Sequence, residues 1–140
     1  MRIFIICSKA FYKDIEPIKT KLEEMGHKIE LPNTYYDKDS NSSAEAEAWK
    51  QGKEAHAEFK AKMFKMSAER VGKMDAVLTL NFDKNGKKNY IGGATFLELY
   101  EAFRQGKKIF LYNDVPEGML YDEISGFNPT VLNGDLNLVK

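Results

Sequence analysis

The chain has a single cysteine, Cys7, two histidines, His27 and His56, and no long apolar run. One cysteine permits no internal disulfide and no cysteine cluster for a metal. The two histidines fall on different predicted elements, with no H-x-x-x-H or similar spacing. They read as isolated polar positions rather than metal ligands. No stretch approaches the roughly 18 consecutive apolar residues of a membrane span. The opening "MRIFIICSKAF" reaches charge too soon after its apolar run to resemble a signal peptide. Net charge is missing too, because Lys+Arg and Asp+Glu both count 21. That balance argues against a nucleic-acid polymer as partner, since such binding needs bulk positive charge. It still permits a small anion held by a local patch. Together these absences predict a cytoplasmic protein with no membrane partner, no metal and no cofactor.

What is present fits one globular domain over residues 1–140. The chain has 140 residues, of which 43% are apolar and 30% charged, enough for one core. Residues 2–7, "RIFIIC", are short and continuously apolar, as in a strand buried on both faces. In residues 12–27, Ile15, Ile18, Leu22 and Met25 recur at helical spacing. Pro17 is tolerated in the first turn and Gly26 is a stop. Residues 28–32 read as a second strand, followed by a polar loop over 33–43. Residues 43–71 are rich in Ala, Glu and Lys and read as helix, with Gly52 as a break or bend. Trp49, Ala55, Phe59, Met63 and Met66 form its rough apolar stripe, and the methionines read as core filler.

The third strand spans residues 75–82 and its loop 83–93 contains an Asn85-Gly86 turn. A helix over 94–105, a strand over 107–113, a short helix or turn over 117–125 and a strand over 129–134 follow. Alternating strands and helices, with apolar strands, imply a parallel sheet covered by helices on both faces. Ligands of such folds bind at the carboxyl ends of the strands. The candidate loops are therefore 8–12, 33–43, 81–93 and 113–117.

One of these loops leads through Gly92-Gly93 into a helix that carries Glu98. The glycines permit unusual backbone angles and a close approach of ligand, and the helix start offers free N–H groups to an anion. A purely structural turn fits equally. On this helix Phe96, Leu99, Tyr100 and Phe103 form a bulky stripe, while Glu98 shares a face with Ala94, Glu101 and Ala102. Either Glu98 is a solvated acid, or the small face lies on the sheet and a partner subunit covers the stripe. In the second case Glu98 points toward the strand ends. The helix field would hold it ionised there, suited to a nucleophile or a cation stabiliser. Lys84, Lys87, Lys88, Asn89 and Tyr90 are either a solvated loop or a phosphate clamp.

These residues resemble the nucleoside 2-deoxyribosyltransferase-like superfamily, which includes deoxyribosyltransferases and nucleoside 5′-monophosphate N-glycosidases. Asp75 opens the strand, Thr95 and Glu98 fit a Thr-x-x-Glu, Ala102 fits the following Ala, and Gly106-Lys107 precedes the next strand. "RIFIICSKAFY" and "LEEMGHKIELP" match the family's first strand with its sugar-side loop, and its second strand. The likeness spans most of the chain and is clearest over 75–111. Ala94 stands where glycine is usual, Leu99-Tyr100 replaces a small position, and Gly92 stands where several transferases carry an acid.

The resemblance implies a flavodoxin-like (Rossmann-like) three-layer sandwich with a five-stranded parallel sheet. It implies Glu98 as a nucleophile attacking the anomeric carbon, and Ser8, Lys9 and Phe11 near the sugar or its 5′ group. It places Ser67 at a position that contributes a polar side chain. The loop after the third strand and the helix start add Asn81, Tyr90, Gly92, Gly93 and Thr95 as candidate substrate contacts. The implied partners are a small-molecule nucleoside or nucleotide and a second copy of the chain, as a homodimer or higher homo-oligomer. The expected activity is N-glycosidic hydrolysis or (deoxy)ribosyl transfer. A non-catalytic nucleotide-binding or regulatory domain is the alternative. A flavin carrier is disfavoured, because "CSKAFY" lacks a Ser/Thr/Gly-rich phosphate nest.

Overall fold

The computed structural model describes residues 1–37 and 44–140. The N-terminal apolar run forms β1 (Arg2–Ile6), fully buried after Arg2. A 3-10 turn (Lys9–Asp14) leads into α1 (Ile15–Glu24), which Gly26 ends at a φ of +93°. β2 (Lys28–Glu30) is short. Residues 38–43 of the predicted loop and helix start lie outside the described residues. The predicted long helix is two, α2 (Ala44–Lys50) and α3 (Lys53–Gly72), parted by Gly52 at a φ of +112°. β3 (Ala76–Thr79), α4 (Gly93–Arg104), β4 (Lys108–Leu111), α5 (Tyr121–Gly126) and β5 (Thr130–Val131) complete the order. The observed β3 and β5 are shorter than the apolar runs that predict them.

All five strands are parallel, in the order β2-β1-β3-β4-β5. This is the flavodoxin-like order, and its switch point lies between β1 and β3. The alternation of a strand sends Ile3 and Ile5 to one face and Phe4 and Ile6 to the other. The first face packs on Phe11, Ile15, Ile18 and Leu22, and the second on Val71, Leu99, Ala102 and Ile124. Helices thus cover both faces, α1 on one side and α3, α4 and α5 on the other, as three layers.

The packing of α4 differs from the sequence reading. Thr95, Leu99 and Ala102 are buried on the sheet side, whereas Ala94 is exposed. Leu99 therefore belongs to the core seam and not to the aromatic stripe. Phe96, Tyr100 and Phe103 form a separate row, displaced by one residue and so by about 100°. That row is partly covered from within the chain. Phe127, just after α5, sits 5.7, 6.3 and 5.3 Å from the three rings in turn. Tyr100 and Phe103 stay about half exposed, and Leu97 with them. The α3 stripe is also redistributed. Its buried residues are Ser67 and Val71, while Phe59 and Met63 line a cleft and Trp49 lies exposed against His56.

Candidate functional site

Three chain segments meet where the sheet order reverses. Beyond β1, Ser8 caps the 3-10 turn by accepting from the amide of Ala10, 3.4 Å away. Beyond β3, Lys84 and Lys87 pair across the Asn85-Gly86 turn, with both backbone hydrogen bonds at 2.9 Å. The positive φ values of Asn85 and Gly86, 51° and 78°, suit a type I′ hairpin turn. The turn carries Lys84 back over β1, where its Nζ lies 3.1 Å from Ser8 Oγ. The same ammonium sits 4.8 Å from the centre of the Tyr90 ring, and that of Lys87 sits 5.9 Å from it. From Gly92 the chain enters α4.

The glycine pair does not use the backbone freedom expected of it. Gly92 is extended at φ −84° and ψ 174°, conformations open to any residue, and the φ of Gly93 is not positive either. What Gly92 supplies is space, because an added Cβ would lie 3.1 Å from the Tyr90 hydroxyl. At Gly93 an added Cβ meets nothing.

The open cleft between these segments has a volume of about 490 Å³. Ser8, Lys9, Ser67, Tyr90, Gly92, Gly93, Thr95 and Glu98 all line it. Phe11 and Asn81 do not. Phe11 is buried in the core edge-on to Phe82, with ring centres 5.4 Å apart. Asn81 is fully buried and fastens the ends of β3 and β4 together. Its Nδ2 donates to the carbonyls of Asn113 and Asp114 at 3.0 and 2.9 Å, and its Oδ1 accepts from the Asn113 amide at 2.8 Å. Lys87 and Lys88 line a neighbouring cleft of about 600 Å³ with Asp114, Glu117 and Met119, and Tyr90 is the wall between the two.

Glu98 is half-buried and faces α3, where Ser67 Oγ donates to its Oε2 at 2.9 Å. Removal from water pushes its carboxyl up to about 7, while the Ser67 hydrogen bond and the charges of Arg70 and Lys60 pull it back. Burial therefore acts against the helix field that the sequence reading relied on. Glu98 lies in the second turn of α4, and the field of a helix end fades beyond the first. The same loss of water acts on its neighbours, pushing the Cys7 thiol up and the Tyr12 phenol up to about 12. Such a carboxyl exchanges between acid and carboxylate near neutral pH, so it can attack carbon or pass a proton.

Several further residues line the cleft: Tyr12, Asn33 and Thr34 from the candidate loops 8–12 and 33–43, where the sequence singled out none of the three, and Glu45, which it did not mark. Asn33 Nδ2 donates to Ser67 Oγ at 2.9 Å and to the Met63 carbonyl at 3.3 Å. Tyr12 shares a 2.9 Å hydrogen bond with Thr34. Glu45 of α2 binds Lys9 and lies 3.2 Å from His56 Nε2, which lowers its own pKa, chiefly through Lys9. His56, read as isolated, is tied into this network and stacks on Trp49. The available signal for Asn33 and Thr34 was position, since both directly follow a strand that ends at Pro32. For Glu45 no local pattern existed. Among the described residues no group of three or more His, Cys, Asp or Glu is placed to hold a metal ion.

No family model and no curated protein matches the chain. Among solved structures, it is similar to the CMP N-glycosidase BcmB of Clostridium botulinum. The TM-score is 0.52, over 94% of this chain and 85% of that one, at 16% sequence identity. The two share a fold. No helix among the described residues is long and apolar enough to cross a membrane.

Proposed function

We propose that the chain is a cytoplasmic enzyme that cleaves the N-glycosidic bond of a nucleoside or nucleoside 5′-monophosphate, with Glu98 as nucleophile. The observation that carries this reading is the place of Glu98. It is a partly desolvated carboxyl, held by Ser67, at the strand ends where the sheet order reverses. The carboxylate attacks the anomeric carbon and forms a glycosyl ester, while the base leaves with the bonding electron pair and takes up a proton. Water then opens the ester, or a second base does so as acceptor. Lys60 and Lys84 line the cleft and support a 5′-phosphate, so a nucleotide is favoured over a nucleoside, while Lys9 is already paired with Glu45. The half-exposed Leu97, Tyr100 and Phe103 support a homodimer in which a second copy completes their cover.

The test is a screen of nucleosides and 5′-monophosphates for free base, comparing wild type with Glu98→Gln. Wild type is expected to release base, with kcat/KM rising with pH as Glu98 ionises and levelling above about 7. Glu98→Gln is expected to lose on the order of 10³-fold or more. Equal release by both removes Glu98 from the chemistry. A second reading, a nucleotide-binding or regulatory domain, is favoured by Gly92, which brings no acid to the cleft. Nucleotide binding without base release from any substrate would select it.

A further inference from the structure

Ser67 has one proton and two competing uses for it. A serine inside a helix commonly turns its hydroxyl back onto the carbonyl four residues earlier. For Ser67 that carbonyl belongs to Met63. In the structure the proton instead goes to Glu98 Oε2, 2.9 Å away. Asn33 accounts for the choice. Its Nδ2 donates to the Met63 carbonyl at 3.3 Å and to Ser67 Oγ at 2.9 Å. One side chain thus covers the competing acceptor and occupies a lone pair of the hydroxyl. The amide cannot be turned over, because Oδ1 would then face the Met63 oxygen.

We propose that Asn33 is a positioning residue that acts through Ser67, directing its only proton at Glu98. The inference deepens the reading of Glu98 as nucleophile and rests on it. A donor aimed at a carboxylate favours its charged, attacking form. Lys60 and Arg70 of α3 act in the same direction. Cys7 and Tyr12, from the segment around the end of β1, are raised in turn by the charge of Glu98. Lys9 and Lys84 add positive charge to the cleft and Glu45 adds negative. Asn33 itself hydrogen-bonds the Ser67 hydroxyl and the Met63 carbonyl rather than any of these groups. The two bonds from Nδ2 also tie the segment after β2 to α3, and the titration below, which a purely structural role would not move, separates the two roles.

The test titrates the 140-residue chain with ¹³C-labelled glutamate carboxyl groups, the Glu98 signal being assigned by its loss in Glu98→Gln. Asn33→Leu and Ser67→Ala are each expected to raise the Glu98 midpoint by about one pH unit. The double variant is expected to rise no further than either alone, and the acid limb of kcat/KM to move by the same amount. Asn33→Ala serves where the leucine perturbs folding, which near-ultraviolet circular dichroism reports. A midpoint unmoved by either Asn33 variant, or shifts that add in the double variant, overturns the proposal. The titration needs no substrate. Coupling without base release therefore refutes only the enzymatic reading, and base release without coupling refutes only the role of Asn33.

Discussion

At Glu98 the field of a helix start and the loss of water oppose each other, and magnitude decides. A charge near a helix end gains about 0.3–1 kcal/mol, and less beyond the first turn. Moving a carboxyl from 4.5 to about 7 corresponds to roughly 3–4 kcal/mol at most, less for a half-buried group. Burial wins. Because the folded-state value is raised, the folded protein keeps this proton to higher pH than the unfolded chain. Stability from this group is therefore greatest below about 4.5, falls as pH rises toward about 7, and stays low above it. Thermal melts of wild type and Glu98→Gln are expected to coincide near pH 4.5 and to separate near pH 8, with the glutamine form melting higher. A glutamine form less stable at the higher pH would show that Glu98 is not desolvated.

At the scale of elements, the start of α4 is shaped by Tyr90 rather than by glycine flexibility. The ring is flanked by Lys84 and Lys87, and its hydroxyl occupies the space that a side chain at Gly92 would need. Gly92→Ala is compatible with the local backbone, so its cost comes from crowding alone, about 1 kcal/mol. Chemical denaturation is expected to show that loss in wild type and little of it in a Tyr90→Phe background. An equal loss in both backgrounds would place the strain in the backbone instead. The same helix shows why two seams were read as one. Leu99 lies one position from both Tyr100 and the small-residue face, and helical spacing alone assigns it to either row. Only the sheet, which buries Thr95, Leu99 and Ala102 together, separates them.

At the scale of the molecule, the reversal of strand order between β1 and β3 opens the cleft, and the outer row of α4 remains half covered by Phe127. Light scattering is expected to give a dimer, and Phe103→Lys with Tyr100→Lys to give a folded monomer. A wild-type monomer at all concentrations would leave that row as ordinary surface. The order of elements, the parallel sheet, the break at Gly52 and the Asn85-Gly86 turn followed from the sequence alone. Periodicity, strand hydrophobicity and positive-φ residues are local signals, and these elements follow them, whereas Leu99 and the Gly92-Gly93 pair do not. Ser8, Ser67 and Glu98 could be marked as candidates from their resemblance and their places near strand and helix ends. Tertiary structure alone decided that Phe11 and Asn81 face inward, that Glu45 joins the cleft, that Asn33 meets Ser67, and that burial raises the Glu98 carboxyl. Each of those outcomes depends on groups far apart in the chain and on how much water their meeting excludes, and neither quantity is written in any local stretch of residues.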